Sequence, residues 1–338
     1  MARDHGFHPV RISRIADEAP GVRTFTLDAP FPYRAGQFLT FRACGTLRSY
    51  SMSSSPDTDD EVRVTVKRVP GGLVSQWMHQ ELKAGDTLHV SRPAGTFCLR
   101  EEGEGRALVA FAGGSGITPV FSLVKSALTT TSRPVRLFTA HRNREAAIFT
   151  ASLDALAARH AGRFETRHHF DDRDGLATAD EVRALVGEHP AGTDYYLCGP
   201  APFMDLVERT LSGAGVPPEH VIVERFTPVA AEPAAAAPQA ADSPVLDPGT
   251  VTVGLRGQRR TVPQRPGETL LQTARRAGFV PPFSCESGDC ATCMAQLTTG
   301  EVKMRVNNAL DADEVAEGWV LTCQAEPTSP EVTVVYED

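Results

Sequence analysis

The 338-residue chain lacks several features that would place it in other classes of protein. Residues 1–21 contain no apolar core behind basic residues, so no signal peptide is expected. The longest apolar stretches, such as residues 107–112, are far shorter than the roughly 20 residues that a membrane-spanning helix needs. We therefore expect a protein of the cytoplasm that makes no contact with a membrane.

An excess of positive charge is also missing, because 42 acidic residues outnumber 34 basic ones and give a net charge of −8. Nucleic acids are bound by basic surfaces, so they are not the expected partner. The sequence shows no internal repeats, and its hydrophobic content of 41% is enough to build a core. At roughly 100–200 residues per domain, the length predicts two or three domains.

The seven cysteines are odd in number and unevenly spread, which fits a disulfide framework poorly. Four of them follow the pattern C-x4-C-x2-C-x29-C, and they are Cys285, Cys290, Cys293 and Cys323. Four thiolates can hold two sulfide-bridged irons, and the first three cysteines follow the spacing of plant-type 2Fe–2S proteins. The alternative of structural zinc fits less well, because zinc usually takes paired C-x2–4-C knuckles. The sequence therefore predicts a [2Fe–2S] cluster.

An Ala/Pro-rich linker is predicted at residues 227–248, because residues 227–244 contain eight alanines and four prolines. Residues 1–102 consist of short strands separated by turns, which is typical of an antiparallel β-barrel. Residues 103–226 alternate strands with helices, which predicts a parallel α/β sheet with helices on both faces. Residues 249–338 form a small α+β module. The expected architecture is therefore multidomain.

A flavin site is indicated by residues 48–51, which read R-S-Y-S. A flavin needs a cation for its pyrophosphate, an aromatic ring against its own ring system and a hydroxyl near its reactive edge. The G-L-V-S sequence at residues 72–75 precedes a predicted helix, whose N-terminal amides can hold phosphate. The R-S-Y-S tetrapeptide alone could be an ordinary strand fragment. The candidate flavin-binding residues are Arg48, Ser49, Tyr50, Ser51, Gly72, Leu73, Val74 and Ser75.

A dinucleotide site is indicated by residues 113–119, which read G-G-S-G-I-T-P between a buried strand and a helix. Such a loop lets backbone amides approach a pyrophosphate, although it is not the G-x-G-x-x-G fingerprint. The C-G-P sequence at residues 198–200 ends another strand, where ligands of parallel sheets bind. Two arginines after the second strand of this domain offer charges for a 2′-phosphate, and Glu145 would repel one. We therefore expect NADH, with NADPH left open. The candidate residues are Gly113, Gly114, Gly116, Thr118, Pro119, Arg142, Arg144, Cys198, Gly199 and Pro200.

These motifs resemble those of the ferredoxin–NADP reductase superfamily over residues 8–226, and residues 249–338 resemble the β-grasp ferredoxin domain. The resemblance implies FAD as the flavin, with FMN as an alternative. It also implies that Ser51, Cys198 and Glu224 form the hydride-transfer site, in which Cys198 orients the nicotinamide. Phe226 would stack on the flavin.

The order of domains resembles the reductase components of multicomponent oxygenases. The resemblance implies that electrons pass from NAD(P)H through FAD and the [2Fe–2S] cluster to a separate terminal oxygenase. The chain itself contains no Rieske Cys/His pair and no di-iron carboxylate motif. Two alternatives stay open, namely a redox module serving a desaturase or another metalloprotein, and a stand-alone NAD(P)H oxidase. The chain is expected to be a monomer by itself.

Two cysteines and one helix start give further local expectations. Cys44 and Cys98 are expected to be small packing residues of the first domain. Asp311 and Glu314 have the spacing of a helix capping box, in which each residue satisfies a backbone amide of the other.

Overall fold

A computed structural model describes residues 7–100, 105–186, 192–226, 249–283, 286, 288 and 290–336. The predicted linker at residues 227–248 and the candidate ligand Cys285 lie outside these described residues. The chain forms two compact units. The larger unit comprises Gly6–Cys44 and Ser49–Phe226, and the smaller one comprises the C-terminal residues and Gly45–Arg48.

The first sheet has six strands, and its central strand pairs antiparallel with both neighbours. The strands are β1 (His8–Ala19), β2 (Val22–Leu27), β3 (Phe38–Ala43), β4 (Thr46–Ser51), β5 (Val62–Lys67) and β6 (Thr87–Val90). Their order in the sheet is β4-β3-β6-β1-β2-β5. The two ends of this order approach each other, because Met52, next to β4, forms an antiparallel bridge with Val64 of β5.

Helix α1 (Leu73–Gln80) packs on this sheet through Val74 and Met78. The core beneath it is apolar and almost completely buried, and it includes Phe25, Leu39 and Met52. The sequence produces this core because apolar residues recur at every second position of the strands, which places them on one face.

The second sheet is parallel, with the order β11-β10-β7-β8-β9. Its strands are β7 (Ala107–Gly113), β8 (Val135–His141), β9 (Phe164–Phe170), β10 (Thr193–Cys198) and β11 (Val221–Glu224). The helices that connect or follow them are α2 (Ile117–Thr130), α3 (Thr150–Arg159), α4 (Asp171–Asp174), α5 (Ala179–Val186) and α6 (Ala201–Gly213). Leu137 of β8 faces the core of α2 and α3, whereas Phe138 faces that of α5 and α6. Helices therefore cover both faces, as predicted.

Helix α2 lies at the centre of the larger unit, since every residue from Ile117 to Leu128 is buried. Its apolar side chains share one core with the parallel sheet and with Val22, Ala35 and Phe97 of the first 100 residues. A helix that is apolar on most of its circumference is typical of burial on several sides.

The smaller unit is a mixed five-stranded sheet with the order β13-β12-β18-β14-β16 and a separate pair, β15 and β17. Its elements are β12 (Thr250–Leu255), β13 (Gln258–Pro263), α7 (Leu270–Arg276), β14 (Met294–Thr299), β15 (Val302–Met304), α8 (Ala312–Ala316), β16 (Trp319–Leu321), β17 (Ala325–Pro327) and β18 (Glu331–Val335). The predicted capping box of Asp311 and Glu314 is confirmed at the start of α8. Helix α7 starts with a second capping box, formed by Thr269 and Gln272, which the sequence analysis missed.

Two local expectations were wrong. Cys44 is exposed and has a φ of 53°, because it occupies the tight turn between β3 and β4 and not the core; Cys98 is buried as expected. The G-L-V-S motif does not precede a helix, because Gly72 is the N-cap of α1 and the motif forms its first turn. Among the described residues, no helix has the length and apolarity needed to cross a bilayer.

Candidate functional site

Three predicted residues meet at the carboxyl edge of the parallel sheet. Ser51 is 3% exposed, and its hydroxyl donates to Oε1 of Glu224 at 3.5 Å. Glu224 is the register partner of Cys198 on the neighbouring strand. Burial, together with the charge of Glu224, raises the pKa of the Cys198 thiol well above its usual range. Cys198 is therefore a neutral thiol, which suits an orienting contact and not a nucleophile.

The glycine loop packs directly against the end of β10. A Cβ atom added at Gly116 would lie 2.2 Å from the carbonyl oxygen of Cys198, and one at Gly199 would lie 2.9 Å from the amide nitrogen of Gly113. Gly113 is equally confined, since its Cβ would lie 2.7 Å from Cδ of Pro200. These glycines thus allow two stretches of backbone to approach where no side chain fits. The fit of a dinucleotide pyrophosphate is supported, because bare amides and the start of α2 meet here.

The start of α2 is further ordered by Thr118, whose hydroxyl donates to the carbonyl of Ser115 at 2.9 Å. Pro119 follows in the first turn, where its missing amide hydrogen leaves no helical hydrogen bond unmade. Both predicted residues therefore shape the loop through the backbone.

A polar stripe on α2 fixes this loop relative to the R-S-Y-S strand. The hydroxyl of Ser122 donates to the carbonyl of Ser54 at 2.5 Å, and the hydroxyls of Ser126 and Ser55 are 2.7 Å apart. Lys125 forms a largely buried ion pair with Asp59. Residues three and four apart share one helix face, so the stripe binds a single segment of chain. The helix that starts at the glycine loop is thereby docked on the residues that follow the flavin motif.

The flavin motif lies on β4, as predicted. Tyr50 meets Phe41 edge to face with ring centroids 5.5 Å apart, and Nη1 of Arg48 donates to the Thr46 hydroxyl at 3.1 Å. In the G-L-V-S turn, Ser75 donates to the carbonyl of Gly72 at 3.3 Å and accepts from the amide of Val69 at 3.1 Å.

Large apolar side chains are exposed around the flavin motifs. Leu73 is 61% exposed, Val69 is 53% exposed, and Phe226 is 39% exposed two residues after Glu224. Single exposed apolar side chains are common on protein surfaces, and these three lie close in sequence to the motifs that predict the flavin. They fit the apolar faces of a flavin, so the donor set and the surroundings of β4 are suitable for FAD.

Lys67, at the end of β5, is a candidate that the sequence analysis missed. A Cβ at Gly114 would lie 3.8 Å from its Nζ, so the ammonium group stands beside the glycine loop. Burial, together with the positive charge of Arg142, lowers the pKa of Lys67. Two cations held together next to bare amides favour an anion between them. Only the tertiary structure reveals this, because 46 positions separate Lys67 from the first glycine of the loop.

His141, at the end of β8, is buried with neither ring nitrogen hydrogen-bonded within the described part of the chain. Burial, with smaller effects of His168 and Lys67, lowers the pKa of His141 to about 4, so the ring is neutral. A neutral imidazole offers one donor and one acceptor. Arg142 and Arg144, which follow it, are exposed.

Three of the four predicted cluster ligands fall within the described residues. Cys290, Cys293 and Cys323 are all at least nine-tenths buried, and the amide of Cys323 donates to Sγ of Cys293 at 3.5 Å. Cys293 and Cys323 also share a small apolar core with Trp319 and Leu321. The hydrogen bond between the two thiols, together with burial, raises the pKa of Cys293. Loading of a metal must therefore displace protons.

The local backbone fits a wrapped cluster. Glu286 and Gly288, between the first and second predicted ligands, have positive φ angles of 52° and 88°. Ala291, between the second and third, has a φ of 54°. These conformations turn the chain sharply at both places. Among the described residues, no three candidate ligands converge on a single metal ion. A two-iron cluster takes two thiolates on each iron, which the four predicted cysteines would supply.

Models of three domain families match the chain. An oxidoreductase FAD-binding domain matches residues 10–98, and an oxidoreductase NAD-binding domain matches residues 111–209. A 2Fe-2S iron-sulfur cluster binding domain matches residues 253–328. These matches confirm the predicted FAD, NAD and [2Fe–2S] cofactors, and they confirm the prediction that the protein is an oxidoreductase.

Several relatives match almost end to end. The ferredoxin reductase component of 3-ketosteroid-9-alpha-monooxygenase from Rhodococcus rhodochrous is 34% identical, with 98% of each chain covered. A component of the 1,2-phenylacetyl-CoA epoxidase from Escherichia coli K12 is 31% identical, again with 98% of each chain covered. Among solved structures, phthalate dioxygenase reductase aligns with a TM-score of 0.61 and 26% identity over 98% of both chains.

Proposed function

Because this chain belongs to the family of FAD- and NAD-binding, 2Fe–2S-containing reductase components of oxygenases, we propose that it delivers electrons from NAD(P)H to a separate terminal oxygenase. The observation that carries the proposal is that the helix of the glycine loop is hydrogen-bonded, through Ser122, to Ser54 in the segment that follows R-S-Y-S. Buried cysteine thiols, those of Cys293 and Cys323, follow later in the same chain. When bound, the flavin supplies hydride acceptance and the cluster supplies one-electron transfer.

The hydride-transfer site is assigned to Ser51, Cys198 and Glu224. Ser51 positions its hydroxyl through Glu224, and Cys198 presents a neutral thiol from the strand next to it. Phe226 offers its exposed ring at the end of the same segment. In this arrangement the residues orient the reacting rings and do not react themselves.

The flavin is assigned to Arg48, Tyr50 and the first turn of α1, and the dinucleotide to the glycine loop and the C-G-P turn. Lys67 joins the second group as a phosphate contact. NADH is the preferred donor, since Glu145 in the loop after β8 opposes a 2′-phosphate. Cys285 completes the cluster ligands with Cys290, Cys293 and Cys323.

We expect the Lys67→Gln variant to bind NADH more weakly because it removes a cation beside the pyrophosphate loop. Loss of one charge-assisted hydrogen bond corresponds to a rise in KM of about tenfold. The measurement is steady-state NADH oxidation with ferricyanide as acceptor. Lys83→Gln is the matched control, because Lys83 is an exposed lysine of the same sheet domain. An unchanged KM in Lys67→Gln would contradict the assigned contact.

Three domains and one linker are proposed from these assignments: an FAD-binding β-barrel at residues 1–102, an NAD(P)-binding α/β domain at 103–226, the linker at 227–248, and a β-grasp ferredoxin domain at 249–338. The bridge of Met52 and Val64, which joins the two ends of the first sheet, supports a closed barrel. The three matched family ranges lie within the three domains.

The partner is proposed to be a separate oxygenase that carries its own substrate site. The relatives belong to a ketosteroid, a phenylacetyl-CoA and a phthalate system, which differ in substrate chemistry. Such a range supports a reductase that serves its partner without contacting the substrate. The chain is proposed to act as a monomer in the cytoplasm.

Reconstitution tests the function. The purified protein is expected to contain flavin and iron and to consume NADH with product formation only when a terminal oxygenase and its substrate are present. Rapid aerobic NADH consumption without any partner, with stoichiometric peroxide, would instead identify a stand-alone oxidase. Delivery to a desaturase and to no oxygenase would support the alternative redox module.

A further inference from the structure

An arginine of α7, Arg275, contacts the described part of the loop that carries the first two predicted cluster ligands. Arg275 donates from Nη2 to Oε1 of Glu286 at 2.7 Å and from Nη1 to Oε2 at 3.3 Å. Glu286 directly follows Cys285 in the sequence. A bidentate pair of this kind fixes orientation as well as distance, because two parallel hydrogen bonds hold the guanidinium and the carboxylate in one plane.

The same guanidinium also covers the ring of Phe283, which lies two residues before Cys285 in the sequence. The Cζ atom of Arg275 lies 3.9 Å from the ring centroid of Phe283, which is a cation–π contact. Phe283 packs in turn against the small core that contains Cys293 and Cys323. One side chain thus contacts the described residues on both flanks of Cys285.

The backbone of Glu286 is held as well. Nε2 of Gln324 donates to the Glu286 carbonyl at 2.7 Å, and Gln324 follows the ligand Cys323 directly. Glu286 has a φ of 52°, a conformation that a residue other than glycine adopts only when its surroundings impose it. Arg275 and Gln324 supply that constraint from α7 and from the segment of the fourth ligand.

We propose that Arg275 is a positioning residue for the [2Fe–2S] cluster, because it fixes the chain before and after Cys285 through Phe283 and Glu286. The inference rests on the proposed assignment of Cys285, Cys290, Cys293 and Cys323 as ligands. Its consequence is that retention of the cluster depends on a side chain that contacts no iron. Changes beyond the direct ligands commonly weaken metal sites in this way.

The neighbouring residue provides a matched control. Arg276 lies in the same last turn of α7 and forms its own bidentate pair with Glu268, with Nη2 to Oε2 at 2.7 Å and Nε to Oε1 at 3.0 Å. This pair is more buried than that of Arg275 and does not involve the cluster loop. A general weakening of α7 would therefore appear at least as strongly in Arg276→Gln as in Arg275→Gln.

The test uses the full-length holoprotein and measures the release of iron to a colorimetric ferrous chelator, together with hydrogen exchange of peptides covering residues 280–292. Arg275→Gln is expected to release iron about fivefold faster than the unsubstituted protein and to exchange faster in these peptides. Arg276→Gln is expected to match the unsubstituted protein in both measurements. Equal acceleration in the two variants would overturn the proposal.

Glu286→Gln provides a second test in case Arg275→Gln folds poorly, since the Glu286 side chain is more exposed than that of Arg275. It is expected to accelerate iron release. In the double variant Arg275→Gln/Glu286→Gln, the rate of iron release is expected to rise by less than the product of the two single-variant factors. Full multiplicativity would contradict a coupled pair. A purified protein that contains no iron would refute the proposed function, whereas iron release unchanged by Arg275→Gln would refute this inference alone.

Discussion

Replacement of Cys293 with alanine is expected to abolish electron delivery to a protein acceptor while leaving the flavin reaction intact. The thiol is buried beside Cys323, and alanine supplies no ligand in its place. Loss of a direct ligand should exceed the roughly 10–100-fold loss that changes beyond the ligands cause. NADH-dependent reduction of cytochrome c should therefore fall to background, and reduction of ferricyanide should persist.

Cys98→Ala provides the comparison for this variant. Cys98 is also a buried thiol, but it lies in the larger unit and donates to the carbonyl of Gly95. Its replacement should leave the iron content and both activities unchanged. A Cys293→Ala protein that retained two irons per chain would show that the ligand assignment is wrong.

Replacement of Gly116 with alanine is expected to cost about 100-fold in NADH-dependent ferricyanide reduction, as misplacement by about 1 Å can do. The new Cβ would lie 2.2 Å from the carbonyl oxygen of Cys198, so either the glycine loop or the end of β10 must shift. The backbone of Gly116 is helical with a φ of −61°, so the expected effect is steric and not conformational. The flavin absorption should stay unchanged.

Gly213→Ala is the matched control for the glycine loop. Gly213 ends α6, and a Cβ added there meets no atom within 4 Å. Alanine is favoured over glycine in a helix, so this variant should be as stable as the original protein and as active. An active Gly116→Ala protein would show that the loop does not need to approach β10 this closely.

Features carried by contiguous residues could be predicted from the sequence. The R-S-Y-S strand, the glycine loop at the start of a helix and the capping box of Asp311 all depend on local periodicity and spacing, and each lies where it was expected. The prediction for Cys44 was wrong because it lies in a turn with positive φ. The hydrophobic pattern of the sequence does not distinguish such a turn from a short strand.

Contacts between distant segments could not be predicted in this way. Lys67 reaches the glycine loop from another sheet, and Arg275 reaches Glu286 from a helix that carries no ligand. Arginine and lysine on the surface are common, and their charge does not indicate which segment they face. The stripe of Ser122, Lys125 and Ser126 was missed for the same reason, since its partners lie some 70 positions earlier.

The core that α2 shares with both sheets has a consequence for chimeras. Val22, Ala35 and Phe97 bury apolar surface against the same helix that packs on the parallel strands. A fusion joined between these two sheets would expose that surface and separate the hydroxyl contacts of Ser122 and Ser126 from their partners. In chimeras of homologous reductases, the segment ending at Phe226 should therefore be exchanged as a whole, and the crossover should lie after Phe226.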